Sequence, residues 1–221
     1  MMNRISGFGL FLYSLLVYRT CRFTFHGLDQ LKVYQESDKP LIITSWHGMT
    51  MMVAAFLNKK MDISTFAVII PDDYRGDVLE FFAKYLGADP IKVNLSGDST
   101  FGSGRKLVSL VKKMKMGKDF LIHPDGPAGP AYKVKPGLSF IAQKTGAYIL
   151  PLGCYCRNAY HVKRWDRYTL PLPFSRVHIQ LGSLMTVPVD MKDLDNINNE
   201  IEIILNRLTF QAAAKYYPDR H

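Results

Sequence analysis

Three cysteines in 221 residues, Cys21, Cys154 and Cys156, are too few and odd in number for a disulfide framework, and they fit a reducing compartment. Cys154 and Cys156 would point the same way on a strand, yet no further Cys pair completes a metal set, so no metal is expected. Long apolar runs are missing as well. Ile5 to Tyr18 carries no charge, but fourteen residues fall short of the roughly 20 that a spanning helix needs. No small-residue cleavage site follows it, which argues against an ordinary signal peptide. There is no internal repeat, no low-complexity segment, and no zinc-finger, aromatic RNA-binding or basic-zipper pattern. The chain therefore lacks a recognisable reader of nucleic acid, and no nucleic-acid partner is expected.

What is present is positive charge and apolar content. The net charge is +9 with a pI near 9.4, spread along the chain and not gathered in a tail. That balance suits an anionic partner, with an acidic membrane surface the leading candidate once nucleic acid is set aside. At 48% apolar residues the chain can bury one core. Residues 1–20 are expected to form a membrane-interface helix, with Phe8, Leu10, Phe11, Leu12, Leu15, Leu16 and Val17 toward the acyl region and Arg4, Arg19 and Arg22 toward the head groups. The other reading of this segment is a core helix packed on a sheet. Residues 21–221 read as one α/β domain.

Within that domain, short apolar runs alternate with helical patterns. Phe23 to Gly27, Leu41 to Thr44, Phe66 to Ile70, Ile91 to Val93, Phe120 to Ile122, Ala147 to Leu152 and Val177 to Leu181 read as strands. Helices are expected from Met49 to Leu57, around Val78 to Leu86 with Gly87 as the stop, from Lys106 to Lys115 with Leu107, Val108, Leu110, Val111 and Met114 inward, around Leu138 to Ala142, and from Leu194 to Lys215. Asn94 to Gly104 is a Ser/Gly-rich loop, and Tyr160 to Pro173 reads as strand edges and loop beside the site. This alternation predicts a mainly parallel, twisted sheet with helices on both faces.

Asp119 to Gly153 is the stretch around which the rest is organised. Phe120-Leu121-Ile122 leaves the sheet abruptly into His123-Pro-Asp125-Gly126-Pro-Ala-Gly129-Pro130, followed by Lys133, Lys135 and a helix opened by Pro136. A carboxylate, two ammonium groups and a helix start converge past a strand end, where open α/β sheets place ligands. An Asp-Gly-Pro is also an ordinary tight turn. His47 stands at the end of another strand, before Gly48, and imidazole needs little tuning to act as a general base near neutral pH; a His after a Trp is as readily structural. His123, before a proline at a buried strand end, reads as structural.

Trp46-His47-Gly48, Arg75-Gly76-Asp77, Gly87 with Lys92, His123 to Pro130, Lys135-Pro-Gly137, Ala147 to Pro151, Trp165-Asp-Arg167 and Pro171 to Arg176 stand in the order and spacing of a known family. Over roughly residues 20–190 the chain resembles the uncharacterised bacterial branch of the lysophospholipid acyltransferase superfamily, relatives of the 1-acylglycerol-phosphate acyltransferases. The resemblance implies a membrane-associated O-acyltransferase without a cofactor, peripheral or monotopic on the cytoplasmic face of the inner membrane. It implies acyl-CoA or acyl carrier protein as donor and a lysolipid as acceptor. His47 would be the base that deprotonates the acceptor hydroxyl, with no covalent acyl-enzyme. The family's acid five residues further on is replaced by Met52, so the orienting carboxylate is expected to be Asp125, with Asp72, Asp73 or Asp77 behind it. Arg75, Asp77, Lys92, Arg105, Gly126, Lys133 and Lys135 are the expected substrate-binding residues, and backbone N–H groups of Gly126, Gly129 or the Gly137 region the expected oxyanion donors. Ala128 replaces the family's phosphate-contacting Arg. Met52 and Ala128 together support a second reading, a catalytically inactive lipid- or phosphate-binding protein of the same fold.

Overall fold

The computed structural model describes residues 2–93, 104–126 and 128–216. The expected loop at 94–103 and the side chain of Arg105 lie outside the described residues. A seven-stranded sheet runs in the order β1-β9-β6-β2-β5-β3-β4. Its strands are β1 (Arg22–His26), β2 (Leu41–Thr44), β3 (Phe66–Pro71), β4 (Asp89–Val93), β5 (Asp119–Ile122), β6 (Tyr148–Cys156) and β9 (Arg176–Leu181). All neighbours pair parallel except β6 with β9. β7 (Ala159–His161) and β8 (Thr169–Pro171) form a separate antiparallel hairpin. The helices are α1 (Met2–Thr20), α2 (Asp29–Gln35), α3 (Thr50–Lys60), α4 (Tyr74–Leu86), α5 (Gly104–Lys115), α6 (Gly137–Thr145) and α7 (Leu194–Ala214).

The central strands are apolar because both faces of the sheet are covered. Leu41, Ile42 and Ile43 of β2 and Phe120 of β5 are fully buried, each side chain contributing roughly 1.5–3 kcal/mol on leaving water. Alternation along the strands assigns the helices to their layers. Gly153 of β6 lies against Leu208 of α7, whereas the next row, Cys154, Ile179 and Phe25, points the other way and Phe25 meets Phe56 of α3. α7 and α3 therefore cover opposite faces. The start of β2 is tied to β5 by Asp119, whose carboxylate accepts from the Leu41 amide at 2.8 Å and from the Tyr34 hydroxyl at 2.7 Å.

Two expectations need correction, and one element was not expected. Val108 of α5 faces solvent; of the other described positions Leu110 and Met114, one helical turn apart, are buried and Val111 is half-buried. The segment Asp29 to Gln35, too short for a clear period, forms α2. In α1, Val17 is buried in the core and is not available to a membrane, while Phe8 and Phe11 pack on Tyr85 of α4. α1 thus lies mainly on α4, with Val17 reaching the core, and its outer face, Met2, Ile5, Phe8, Leu12 and Leu16 at intervals of three and four, stays exposed.

Candidate active site

The site forms where β2 and β5, neighbours in the middle of the sheet, release their chains at their C-terminal ends. β2 delivers Ser45-Trp46 and then a single 3₁₀ turn, His47–Met49, before α3. β5 delivers His123 and the turn holding Asp125 and Gly126. The connection between β7 and β8, residues 162–168, folds over both.

Asp125 and His47 do meet, but through the backbone. Asp125 is buried and accepts from the main-chain N–H of His47 at 2.9 Å and of Tyr132 at 3.4 Å. Burial pushes its carboxyl above the usual range, against the pull of those two amides. It pins the turn at His47 to the loop after β5 without touching the ring. The carboxylate that reaches the imidazole is Asp166, with Oδ2 2.8 Å from His47 Nδ1. Asp72, Asp73 and Asp77 are elsewhere: Asp73 caps the N-terminus of α4, and Asp77 bonds Lys92 and Asn3. Met52, where the resemblance would have placed the acid, is buried in the core as a packing residue.

Two glycines make this arrangement possible. A Cβ on Gly48 would collide with the main-chain carbonyl of Asp166, so only glycine lets the hairpin connection come down onto the turn at His47. A Cβ on Gly126 would stand 3.0 Å from His47 Cδ2, so the other edge of the ring is shaped by a missing side chain too. The Asp166 side chain is fully buried and also takes a 3.3 Å contact from Arg164 Nη2. The His47 side chain is 26% exposed. With Nδ1–H donating to Asp166, Nε2 is left as the acceptor, and it has no partner among the described residues. A buried carboxylate behind the ring and an open basic nitrogen in front is the geometry of a general base with its orienting acid.

His123 backs this pair. Its ring centre is 5.3 Å from that of His47; Nδ1 donates to the Ser45 carbonyl at 2.8 Å, and Nε2 meets the Thr50 hydroxyl at 3.0 Å. Complete burial, with the adjacent His47, pushes its pKa down to about 3, so it is a neutral packing and hydrogen-bonding group at working pH. Burial, followed by the nearby Asp166 charge, pushes the Tyr168 phenol up to about 12.

Of the expected substrate-binding residues, Gly126 and Lys135 are at the site. Lys135 Nζ donates to the Gly126 carbonyl at 3.2 Å, and burial lowers its pKa, opposed by Asp125. The Gly126 N–H is taken by the His123 carbonyl at 3.2 Å, which leaves it poorly placed as an oxyanion donor. Lys133 pairs with Glu202 of α7, Lys92 with Asp77 and Glu80, and Arg75 with Asp73. These three cations serve ion pairs on other parts of the surface. The signal for Asp166 was present in Trp165-Asp-Arg167, but nothing local in the sequence says that this connection folds back over His47.

The chain is 24% identical over 208 residues to an uncharacterised protein of Rickettsia prowazekii (strain Madrid E), covering 90% of this chain and 92% of that one. No family model matches. Among solved structures it superposes on the 1-acyl-sn-glycerophosphate acyltransferase PlsC of Thermotoga maritima with a TM-score of 0.58 at 18% identity, covering 95% of this chain and 78% of PlsC. The two proteins share a fold, which in this chain is a mainly parallel α/β sheet with helices on both faces and an N-terminal helix.

Proposed function

We propose that this chain is an O-acyltransferase that moves a fatty acyl group from a thioester donor, acyl-CoA or acyl carrier protein, to a hydroxyl of a lysophospholipid or similar lipid. The observation that carries this reading is the 2.8 Å pairing of His47 with the buried Asp166 at the C-terminal edge of the sheet. The fold shared with an acyltransferase that acts on 1-acyl-sn-glycerophosphate supports the substrate class.

In this mechanism His47 Nε2 takes the proton of the acceptor hydroxyl while Nδ1–H holds Asp166, which stabilises the imidazolium. The acceptor oxygen attacks the thioester carbonyl, the tetrahedral intermediate collapses with cleavage of the C–S bond, and the thiolate leaves and takes the proton from His47. The acceptor becomes an ester and the donor a free thiol, with no acyl-enzyme. Lys135, which bonds the Gly126 carbonyl beside His47, is the cation this reading assigns to the negative charge on the intermediate; one well-aimed donor is worth roughly 3 kcal/mol. Asp125 acts through the His47 backbone as a positioning residue.

The same reading places the protein on an anionic membrane surface. Among the described residues no helix is long and apolar enough to cross a membrane. The exposed stripe of α1 supports interfacial binding, with its apolar side chains outward and the chain's positive charge available to acidic head groups. Phe174 extends that stripe: it is exposed, and its amide donates to Thr20 Oγ1 at the end of α1. Tyr13 of α1 in turn donates to the Pro171 carbonyl of β8 at 2.8 Å, which links the membrane-facing helix to the hairpin that carries Asp166. The test of the proposal is release of free thiol from acyl-CoA in the presence of mixed lysolipids, with the acylated product identified by mass; no thiol release with any lysolipid would favour the non-catalytic binding protein.

A further inference from the structure

The hairpin connection that supplies Asp166 to His47 also walls a cleft of about 780 Å³. His161, Lys163, Arg164, Trp165 and Arg167 line it, together with Tyr132. Trp165 belongs to both places, since its ring centre is 5.5 Å from that of His47. The cleft and the imidazole therefore share one wall, the Trp165 ring. Its charge is one-sided. Arg164 is partly neutralised by Asp166, but Lys163 and Arg167 have no ion-pair partner among the described residues. Of the cations singled out from the sequence, Arg75, Lys92 and Lys133 are engaged by carboxylates and Lys135 by the Gly126 carbonyl.

The backbone carries a second mark. Among the described residues three non-glycine positions have positive φ, and two of them, Tyr132 at 61° and Arg167 at 45°, line this cleft. Such conformations are costly for side chains of this kind and gather where a site holds them in place.

We infer that this cleft binds a phosphomonoester of the substrate, with Lys163 and Arg167 as its principal cations and Arg164 shared between the cleft and Asp166. The identity of the ligand rests on the acyl-transfer reading, which offers two sources of this one chemistry: the 3′-phosphate of CoA on the donor, or the terminal phosphate of a lysophosphatidate-like acceptor. An acceptor phosphate held there would sit a few bonds from its reacting hydroxyl, whereas a CoA 3′-phosphate held there would need the whole pantetheine arm to carry the thioester round Trp165 to His47. Guanidinium and ammonium groups recognise a phosphate dianion through charge-assisted hydrogen bonds, and Arg167 adds a fork that Lys163 lacks.

The test is calorimetric binding to the full chain at low salt, with two matched pairs: CoA against dephospho-CoA, and glycerol 3-phosphate against glycerol. The phosphorylated member of one pair binds more tightly to the wild-type chain, and which pair it is names the source. Lys163→Ala and Arg167→Asn, the latter chosen because Asn tolerates a left-handed backbone, each weaken that member roughly ten- to hundredfold, the range for one charge-assisted hydrogen bond lost, and leave its unphosphorylated counterpart unchanged. Equal binding within both pairs overturns the assignment, and so does a loss that falls equally on both members. Because the readout is binding and not turnover, a chain that holds the phosphate through Lys163 and Arg167 yet releases no thiol would keep this site while refuting the acyl-transfer reading.

Discussion

Gly48 and Asp166 touch main chain to main chain: the Asp166 carbonyl occupies the space that a side chain at position 48 would need. This contact lowers the β7–β8 connection onto the turn at His47 and so sets the Nδ1 to Oδ2 distance. Gly48→Ala should lift the connection, costing about 1–3 kcal/mol of stability as over-packing does, and should lower kcat by more than it raises KM. A variant with wild-type kcat would show that the approach does not position the base.

Asp125 predicts a different signature. Replaced by Asn, it keeps one acceptor oxygen but turns an NH2 toward a backbone N–H, so either His47 or Tyr132 loses its partner. The expected cost is about 1–3 kcal/mol in denaturant unfolding, with turnover reduced less than by Asp166→Asn. The reverse ranking would make Asp125 the partner of the ring.

His123 makes a prediction about pH. Its folded pKa, about 3, lies below the ordinary value of 6.5, so between those limits the unfolded chain binds a proton that the folded chain refuses. Stability from this group is present above pH 6.5 and is lost as pH falls toward 3, by at most about 1.4 kcal/mol per pH unit. His178, also depressed by burial, acts with the same sign, while the raised carboxyls of Asp119 and Asp125 act against it in the acid range. His123→Asn, which preserves a donor to the Ser45 carbonyl, should flatten the dependence of unfolding free energy on pH between 4 and 6.5. An unchanged slope would mean that His123 charges in the folded state.

Membrane attachment is better tested by substitution than by truncation, because removing α1 would strip cover from α4 and take Val17 out of the core. Ile5→Ser, Leu12→Ser, Leu16→Ser and Phe174→Ser alter only exposed apolar side chains. Together they should reduce cosedimentation with anionic vesicles by about tenfold or more, since each lost apolar contact is worth a large part of a tenfold factor, with the melting temperature little changed. Undiminished cosedimentation would remove α1 and Phe174 from the interface.

The strands were legible because burial on both faces leaves short apolar runs bounded by Gly and Pro, and the helices because most show one apolar stripe. His47 was legible as a polar residue at the end of such a run, and Asp125 as a carboxylate in a shaped turn. Their meeting was foreseen, but not its form: which of several carboxylates faces a ring depends on how a connection 119 residues away folds back, and that is decided by the contact at Gly48. The same limit applies to the cations. Lys92 and Lys133 look free in one dimension and are paired in three, because their partners lie on other elements.

The most direct measurement is the rate of thiol release from acyl-CoA, with lysolipid acceptor, for wild type, His47→Ala and Asp166→Asn in vesicles. The account predicts that His47→Ala abolishes release and that Asp166→Asn lowers kcat by roughly 10³–10⁴-fold, the scale on which an imidazole loses its orienting carboxylate, with both variants retaining the wild-type circular dichroism. Wild-type turnover in either folded variant would contradict it.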